Sequence, residues 1–187
     1  METKIPRLLI TGTLGVGKTA VASEISELLD QVQIPHAQVD VDALRWGYFP
    51  LSPDPFQVEL ALKNLAAIWA NFQQAGAQRL VLADVLEERE HLQRYRQAVP
   101  SAQILVIRLH ASLPTVEHRL KSRELGSSIE RHLRRSAELI RHMEQARVED
   151  VCVDTEGKTV RAIAGEVLRI CGWTEFLREE ERSPAVS

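Results

Sequence analysis

The stretch Gly12-Thr-Leu-Gly-Val-Gly-Lys-Thr19 decides the fold of this chain. It follows an apolar run at residues 7–10, which is typical of a buried strand, and it precedes a helical pattern at residues 18–29. The spacing G-x-x-x-x-G-K-T between a strand and a helix is typical of a loop that wraps phosphate groups with backbone N–H groups. An ordinary glycine-rich turn is the alternative, and the strand and helix on either side disfavour it. We therefore predict phosphate contacts from the whole loop, namely Gly12, Thr13, Leu14, Gly15, Val16, Gly17, Lys18 and Thr19.

Apolar strands and amphipathic helices alternate along the rest of the chain. Further strands are predicted at residues 36–40, 79–83, 103–109 and 150–154, and further helices at residues 55–74, 87–98, 113–123, 129–147 and 159–170. Several strands are continuous apolar runs, which is the pattern of strands covered by helices on both faces. Right-handed helical crossovers between such strands give an α/β fold with a parallel, doubly wound sheet.

The composition is that of a folded, weakly acidic protein. Of its 187 residues, 44% are hydrophobic, and the net charge is −3. We expect one domain at residues 1–177 and a flexible tail at 178–187, without a membrane segment, in the cytoplasm, as a monomer or homodimer. The net charge gives no general attraction to nucleic acid, which is not expected as a partner. The two cysteines, Cys152 and Cys171, are predicted to be small core residues in a reducing compartment.

Carboxylates follow two of the predicted strands, at the sheet edge where ligands bind in doubly wound folds. Asp40 and Asp42 follow the second strand, and one of them could hold a substrate hydroxyl or accept its proton, with Asp42 the better candidate for the base. Asp84 follows the third strand and is predicted to organise Mg²⁺ together with Thr19. The alternative for each aspartate is a cap at the start of the next helix. Trp46 and the aromatic residues after it either line an acceptor pocket or fix the loop to the core.

Basic residues concentrate in one part of the chain. Residues 119–147 contain eight arginine and lysine residues against four glutamates, a local excess of positive charge in an acidic protein. Arg119 and Arg123 are four residues apart and so share one helix face, from which they could stabilise phosphate charge. The alternative is a solvated face with internal ion pairs. Gly157, after the last strand, either approaches a purine base or is a simple turn residue.

Together these motifs resemble the P-loop small-molecule kinases, the group that includes shikimate, gluconate and adenylylsulfate kinases and chloramphenicol phosphotransferase. Beyond the phosphate loop, Val41-Asp-Ala-Leu44 is similar to the loop with the acceptor-side aspartate, and Arg119-Leu-Lys-Ser-Arg123 to the arginines that open the lid. Val153-Asp-Thr155 is similar to the strand end before the purine contact. The resemblance implies a three-layer α/β/α sandwich, a five-stranded parallel sheet of order 2-3-1-4-5, a short helical lid at about 119–135, and ATP with Mg²⁺ as donor. The third strand departs from the shikimate and gluconate kinases because it ends in Asp84 without their glycine-rich turn.

The sequence therefore favours an ATP-dependent phosphotransferase that acts on a hydroxyl group of a small molecule, such as a metabolite, a nucleoside or an antibiotic. In this interpretation Lys18 and Arg123 hold the phosphates, Thr19 and Asp84 hold Mg²⁺, and Asp42 acts as base or acceptor anchor. A nucleotide-binding regulatory ATPase without a small acceptor is the alternative. The chain lacks the Asn-Lys-x-Asp pattern of GTPases, which counts against a GTP switch. A kinase of polynucleotide ends is disfavoured by the acidic net charge and the 5% aromatic content.

Overall fold

A computed structural model describes residues 6–54, 56–100, 103–123 and 129–173, apart from the side chain of Arg123. The predicted tail at 178–187 and the centre of the predicted lid, at 124–128, lie outside the described residues. The strands are β1 (Arg7–Thr11), β2 (His36–Asp40), β3 (Arg79–Ala83), β4 (Ile104–His110) and β5 (Val151–Asp154). The α-helices are α1 (Lys18–Gln31), α2 (Val58–Gln74), α3 (Leu92–Ala98), α4 (Leu113–Arg123), α5 (Ile129–Ala146) and α6 (Val160–Ile170). Two 3-10 turns span Asp42–Arg45 and Arg89–His91.

The five strands form one parallel sheet in the order β2-β3-β1-β4-β5, which confirms the predicted order. Successive residues of β1 point to opposite faces of the sheet, as the pleat requires. Leu8 and Ile10 belong to an apolar core with α1 and α6, whereas Leu9 belongs to a second core with α2 and α3. The three layers of the sandwich follow from these two cores, and all five strands end at the edge where the phosphate loop lies.

The helix predicted at 55–74 begins later, at Val58, because the chain before it has its own hydrogen bonds. Gln57 adopts a left-handed backbone conformation with a φ of 52°. The Asp54 carboxylate accepts hydrogen bonds from the backbone N–H groups of Phe56, at 3.2 Å, and Glu59, at 2.9 Å. The first turn of α2 is therefore capped from outside the helix.

The prediction of a helix at 87–98 is wrong for the first part of that range. Residues 84–88 form neither helix nor strand, and Glu88 at their end has an extended backbone. A 3-10 turn follows, and α3 begins only at Leu92. Glu87 and Glu88 therefore do not lie in the first turn of a helix, and their carboxylates pair with Arg135 and His142 on α5. These contacts join α5 to the segment that follows β3.

The prediction of a buried Cys152 is also wrong. The β5 strand forms one edge of the sheet, and its side chains alternate between the two faces. Val153 faces the core and is 1% exposed, whereas Cys152 faces outward and is exposed. Cys171 is half-buried, and burial raises the pKa of its thiol to about 12.

Within the described part of the chain, no helix combines the length and the apolar character that crossing a membrane requires.

Candidate active site

The phosphate loop joins β1 to α1, and its shape depends on glycine at two positions. Gly12 has a φ of 141°, and a Cβ atom there would lie 2.6 Å from the carbonyl oxygen of Leu109 on β4. Gly17 has a φ of 107° where α1 begins. The ammonium group of Lys18 donates to the carbonyl oxygens of Gly12 and Thr13, both at 3.1 Å. The side chain of Lys18 is thus held over the loop. It lies beside the N-terminus of α1, and helix N-termini attract anions.

Two distant helices fix the loop from outside. The Thr13 hydroxyl donates to the carbonyl oxygen of Ser136 at 3.2 Å, and the Ser136 hydroxyl donates to the carbonyl oxygen of Leu14 at 3.3 Å. Ser136 lies on α5 and is fully buried. Arg119, on α4, donates to the carbonyl oxygen of Val16 at 3.0 Å. The helices that flank the predicted lid are therefore attached directly to the loop.

Arg119 also connects the loop to the turn after β5. Its guanidinium group donates to the hydroxyl and the carbonyl oxygen of Thr155, at 3.0 and 3.3 Å. Gly157 lies in that turn with a φ of 62° and has open space where a Cβ would be. The structure brings Arg119 together with the loop and with the Gly157 turn, at the place where a nucleotide base is expected. The side chain of Arg123 lies outside the described part, so its predicted phosphate contact stays a prediction.

Thr19 and the two aspartates at the end of β2 and just after it form a second group beside the loop. The Thr19 hydroxyl donates to Oδ2 of Asp40 at 2.8 Å, and the backbone N–H of Asp42 donates to Oδ1 of Asp40 at 3.1 Å. A hydroxyl and a carboxylate oxygen are the ligands that Mg²⁺ prefers. The described ranges contain no group of three or more His, Cys, Asp and Glu side chains that could hold a metal ion. Mg²⁺ at a phosphate site needs only one or two protein carboxylates, since phosphate and water supply the other ligands.

A buried charge network continues from Asp42 towards α3. Arg45 pairs with Asp42 and donates to Oδ1 of Asp84 at 2.8 Å. Oδ1 of Asp84 also accepts from the backbone N–H of Val85 at 2.8 Å, and Oδ2 accepts from the hydroxyl of Tyr95. Burial raises the pKa of Asp84, and the nearby Arg45 opposes this shift. Burial and the Asp84 carboxylate together raise the pKa of the Tyr95 hydroxyl well above its usual value. For Arg45, burial lowers the pKa but the two carboxylates outweigh it and raise the pKa overall.

This network holds the side chain of Asp84, whose predicted role at Mg²⁺ stays a prediction. Both of its oxygens accept hydrogen bonds from protein groups, and its side chain is only 2% exposed. The carboxylate that contacts Thr19 is Asp40. Asp40, which was expected on the acceptor side, therefore lies next to Thr19, the other predicted metal ligand.

The sequence interpretation missed Arg45 and Tyr95. Asp42 and Arg45 are three residues apart, a spacing that brings side chains together on one helical turn, and this signal was available. No local signal points to Tyr95, because its contact with Asp84 depends on where α3 packs.

A large cleft of about 1020 Å³ opens next to Asp42 and Arg45, between α2, the segment after β3, α3 and α5. Trp46 follows Arg45 and is 83% exposed, and Tyr48 is 87% exposed. These aromatic side chains do not fix their loop to the core, which removes one of the two alternatives for them. Substrate contact by Trp46 stays a prediction.

Solved structures show the same fold in several proteins. The chain is similar to a tunicamycin resistance protein of Deinococcus radiodurans, with 19% identity, a TM-score of 0.64, and coverage of 89% of this chain and 95% of that protein. It is similar to a gluconokinase of Sinorhizobium meliloti 1021, with 19% identity, a TM-score of 0.62, and coverage of 96% and 99%. A shikimate kinase of Acinetobacter baumannii, solved with shikimate, has 17% identity, a TM-score of 0.55, and coverage of 92% and 96%.

No sequence among the curated proteins is significantly similar to this chain. The model of the AAA domain family matches residues 8–141, which include the phosphate loop, the paired aspartates and most of α5. This match and the kinase structures confirm the resemblance stated from the sequence. The chain therefore belongs to the AAA domain family of P-loop proteins.

Proposed function

We propose that this protein is an ATP-dependent phosphotransferase that moves the γ-phosphoryl group to a hydroxyl group of a small molecule. The observation that carries the proposal is the hydrogen-bonded unit of Thr19, Asp40 and Asp42. It joins the start of α1, where phosphates bind, to the cleft beside Asp42. The kinase names of two similar structures support phosphotransfer in general.

On the donor side, the loop backbone and Lys18 hold the phosphates. Thr19 and Asp40 are the residues that would hold Mg²⁺, and Asp84 supports them indirectly through Arg45 and Asp42. Bound there, Mg²⁺ would neutralise charge on the phosphate oxygens during transfer. Arg119 orients the nucleotide from the α4 side.

On the acceptor side, Asp42 holds the substrate hydroxyl in line with the γ-phosphorus and accepts its proton. A new bond forms between the acceptor oxygen and the γ-phosphorus, and the bond from that phosphorus to the bridging oxygen breaks. The products are a phosphate monoester and ADP, and the hydroxyl proton goes to Asp42. Arg45 fixes the orientation of the Asp42 carboxylate, so that one of its oxygens can face the acceptor.

The test is acceptor-dependent release of ADP from ATP and Mg²⁺ by the purified protein. Pools of nucleosides, sugars, polyol acids and hydroxylated antibiotics serve as acceptors. We expect one pool to stimulate ADP release, and Lys18→Met to abolish that signal. Lys63→Met, at an exposed position on α2, serves as the matched control and should retain the acceptor-stimulated release of ADP. Tight ATP binding with slow release that no pool stimulates would instead indicate a regulatory ATPase.

A further inference from the structure

The cleft beside Asp42 carries information about the acceptor, provided that the proposed function holds. Its volume of about 1020 Å³ lies at the upper end of the range of about 300–1,000 Å³ for sites that enclose drug-sized ligands. A compact polyol would leave most of this space filled with water. The cleft therefore has room for a bulky acceptor.

The walls of the cleft are apolar at several points away from Asp42. Leu62 comes from α2, Leu86 from the segment after β3, and Leu139 from α5. Val58 and Phe56 add apolar surface at the start of α2. An acceptor that fills the cleft must bury apolar atoms against these side chains to offset the water it displaces.

The charged side chains of the cleft largely compensate each other. Five arginines and four carboxylates line it. Arg135 pairs with Glu87, and His142 lies 2.8 Å from Glu88. Arg45 is already held between two aspartates. A site for an acceptor with several negative charges would need a clear excess of positive charge, and this cleft has almost none.

Exposed apolar side chains lie both in the cleft and elsewhere in the connection between β2 and α2. Phe56 lines the cleft and is 66% exposed. The centre of its ring lies 6.0 Å from the guanidinium carbon of Arg135. Trp46 and Leu51, in the same connection between β2 and α2, are 83% and 97% exposed. The exposed ring of Phe56, together with the leucines of the cleft walls, places apolar surface beside a polar centre, which is typical of a binding site for an amphipathic ligand.

We infer that the acceptor is an amphipathic hydroxylated molecule without multiple negative charges. Its hydroxyl group lies at Asp42, and its apolar part lies on the surface formed by Phe56, Leu62, Leu86 and Leu139.

The first arm of the test measures binding independently of turnover. Isothermal titration calorimetry measures binding to the protein in the presence of Mg²⁺ and a methylene-bridged ATP analogue. The probes are alkyl β-glucosides from methyl to octyl, phenyl β-glucoside, gluconate and glucose 6-phosphate. Their concentrations stay below those at which micelles form. We expect affinity to rise at least tenfold from the methyl to the octyl or phenyl member. Equal affinity along the series, no binding, or tighter binding of the two anionic probes would overturn the inference.

Two phenylalanine variants locate the apolar contact. Phe56→Ala should lower the affinity for the phenyl or octyl member by about three- to tenfold, since part of an exposed aromatic surface is lost, and leave the methyl member unchanged. Phe72→Ala is the matched control, because Phe72 is also exposed and lies on α2 away from the cleft. An equal loss in both variants would contradict the assigned surface.

The second arm measures ADP release with the same compounds, with Lys18→Met as control. Affinity that rises with apolar size without Lys18-dependent turnover would support the ligand class and count against phosphotransfer. Lys18-dependent turnover of the anionic probes alone would support phosphotransfer and overturn the inference on the acceptor. The two proposals can therefore fail separately.

Discussion

Replacing Arg45 by methionine removes the cation that lies between two carboxylates in the buried network. The side chain of Asp84 is 2% exposed and that of Arg45 is 16% exposed. Removing one partner of a fully buried pair costs about 3–5 kcal/mol, because the other charge stays buried without compensation. Since Arg45 keeps some contact with solvent, we expect Arg45→Met to lower the free energy of unfolding by about 2–4 kcal/mol at pH 7.5. For a domain of this size the melting temperature should fall by about 5–15 °C.

The loss of stability in Arg45→Met should depend on pH in a defined direction. Burial raises the pKa of Asp84 in the folded protein, and without Arg45 that pKa rises further. The folded variant then holds a proton that the unfolded chain releases above a pH of about 4. The contribution of Asp84 to the free energy of unfolding is therefore present at low pH. It is lost as the pH rises through the pKa that Asp84 has in the folded variant. Urea unfolding followed by circular dichroism at pH 4.5, 6.0 and 7.5 should show the smallest difference from the wild type at pH 4.5.

Two further variants make the measurement decisive. Arg94→Met removes an arginine that also pairs in the cleft, with Glu59, but this pair is exposed, and the loss should stay below about 1 kcal/mol. The double variant Arg45→Met/Asp84→Asn should recover at least about 1 kcal/mol of the loss, because no unpaired charge stays buried. If Arg45→Met lowers the free energy of unfolding no more than Arg94→Met does at pH 7.5, the network of Arg45, Asp42 and Asp84 does not stabilise the fold as argued.

Three other predictions follow from the site. Gly12→Ala should lower the free energy of unfolding by about 2–3 kcal/mol in urea titrations, because its φ of 141° is strained for alanine and its Cβ would lie 2.6 Å from the Leu109 carbonyl oxygen; an unchanged midpoint would contradict the close approach. Asp40→Asn should raise the Mg²⁺ concentration for half-maximal ADP release about tenfold, and an unchanged Mg²⁺ curve would remove Asp40 from the metal site. Asp42→Asn should lower acceptor-dependent kcat by about 10²–10⁴-fold while calorimetry shows unchanged binding of the ATP analogue; a full kcat would exclude Asp42 as the base.

Much of the fold could be predicted because its determinants are local. Each apolar strand and each helical pattern is visible within about ten residues, and the phosphate loop fixes how β1 meets α1. The errors arise where side-chain contacts override a local pattern. The acids at 87 and 88 look like the start of a helix, yet they lie in a segment without helix or strand and pair with Arg135 and His142 on α5. Cys152 looks like a core residue because the short apolar run of β5 does not say which of its side chains face the core.

The two sides of the candidate site differ in how far the sequence determines them. Phosphate binding depends on backbone N–H groups in one continuous loop, so its residues could be named from spacing alone. The cleft beside Asp42 is built by α2, α3 and α5, which are not adjacent in the sequence, and its shape depends on how they pack. Tyr95 meets Asp84 only because of that packing. The loop could therefore stay unchanged while side chains of these three helices change the acceptor, and variants such as Phe56→Ala should alter acceptor preference without altering nucleotide affinity.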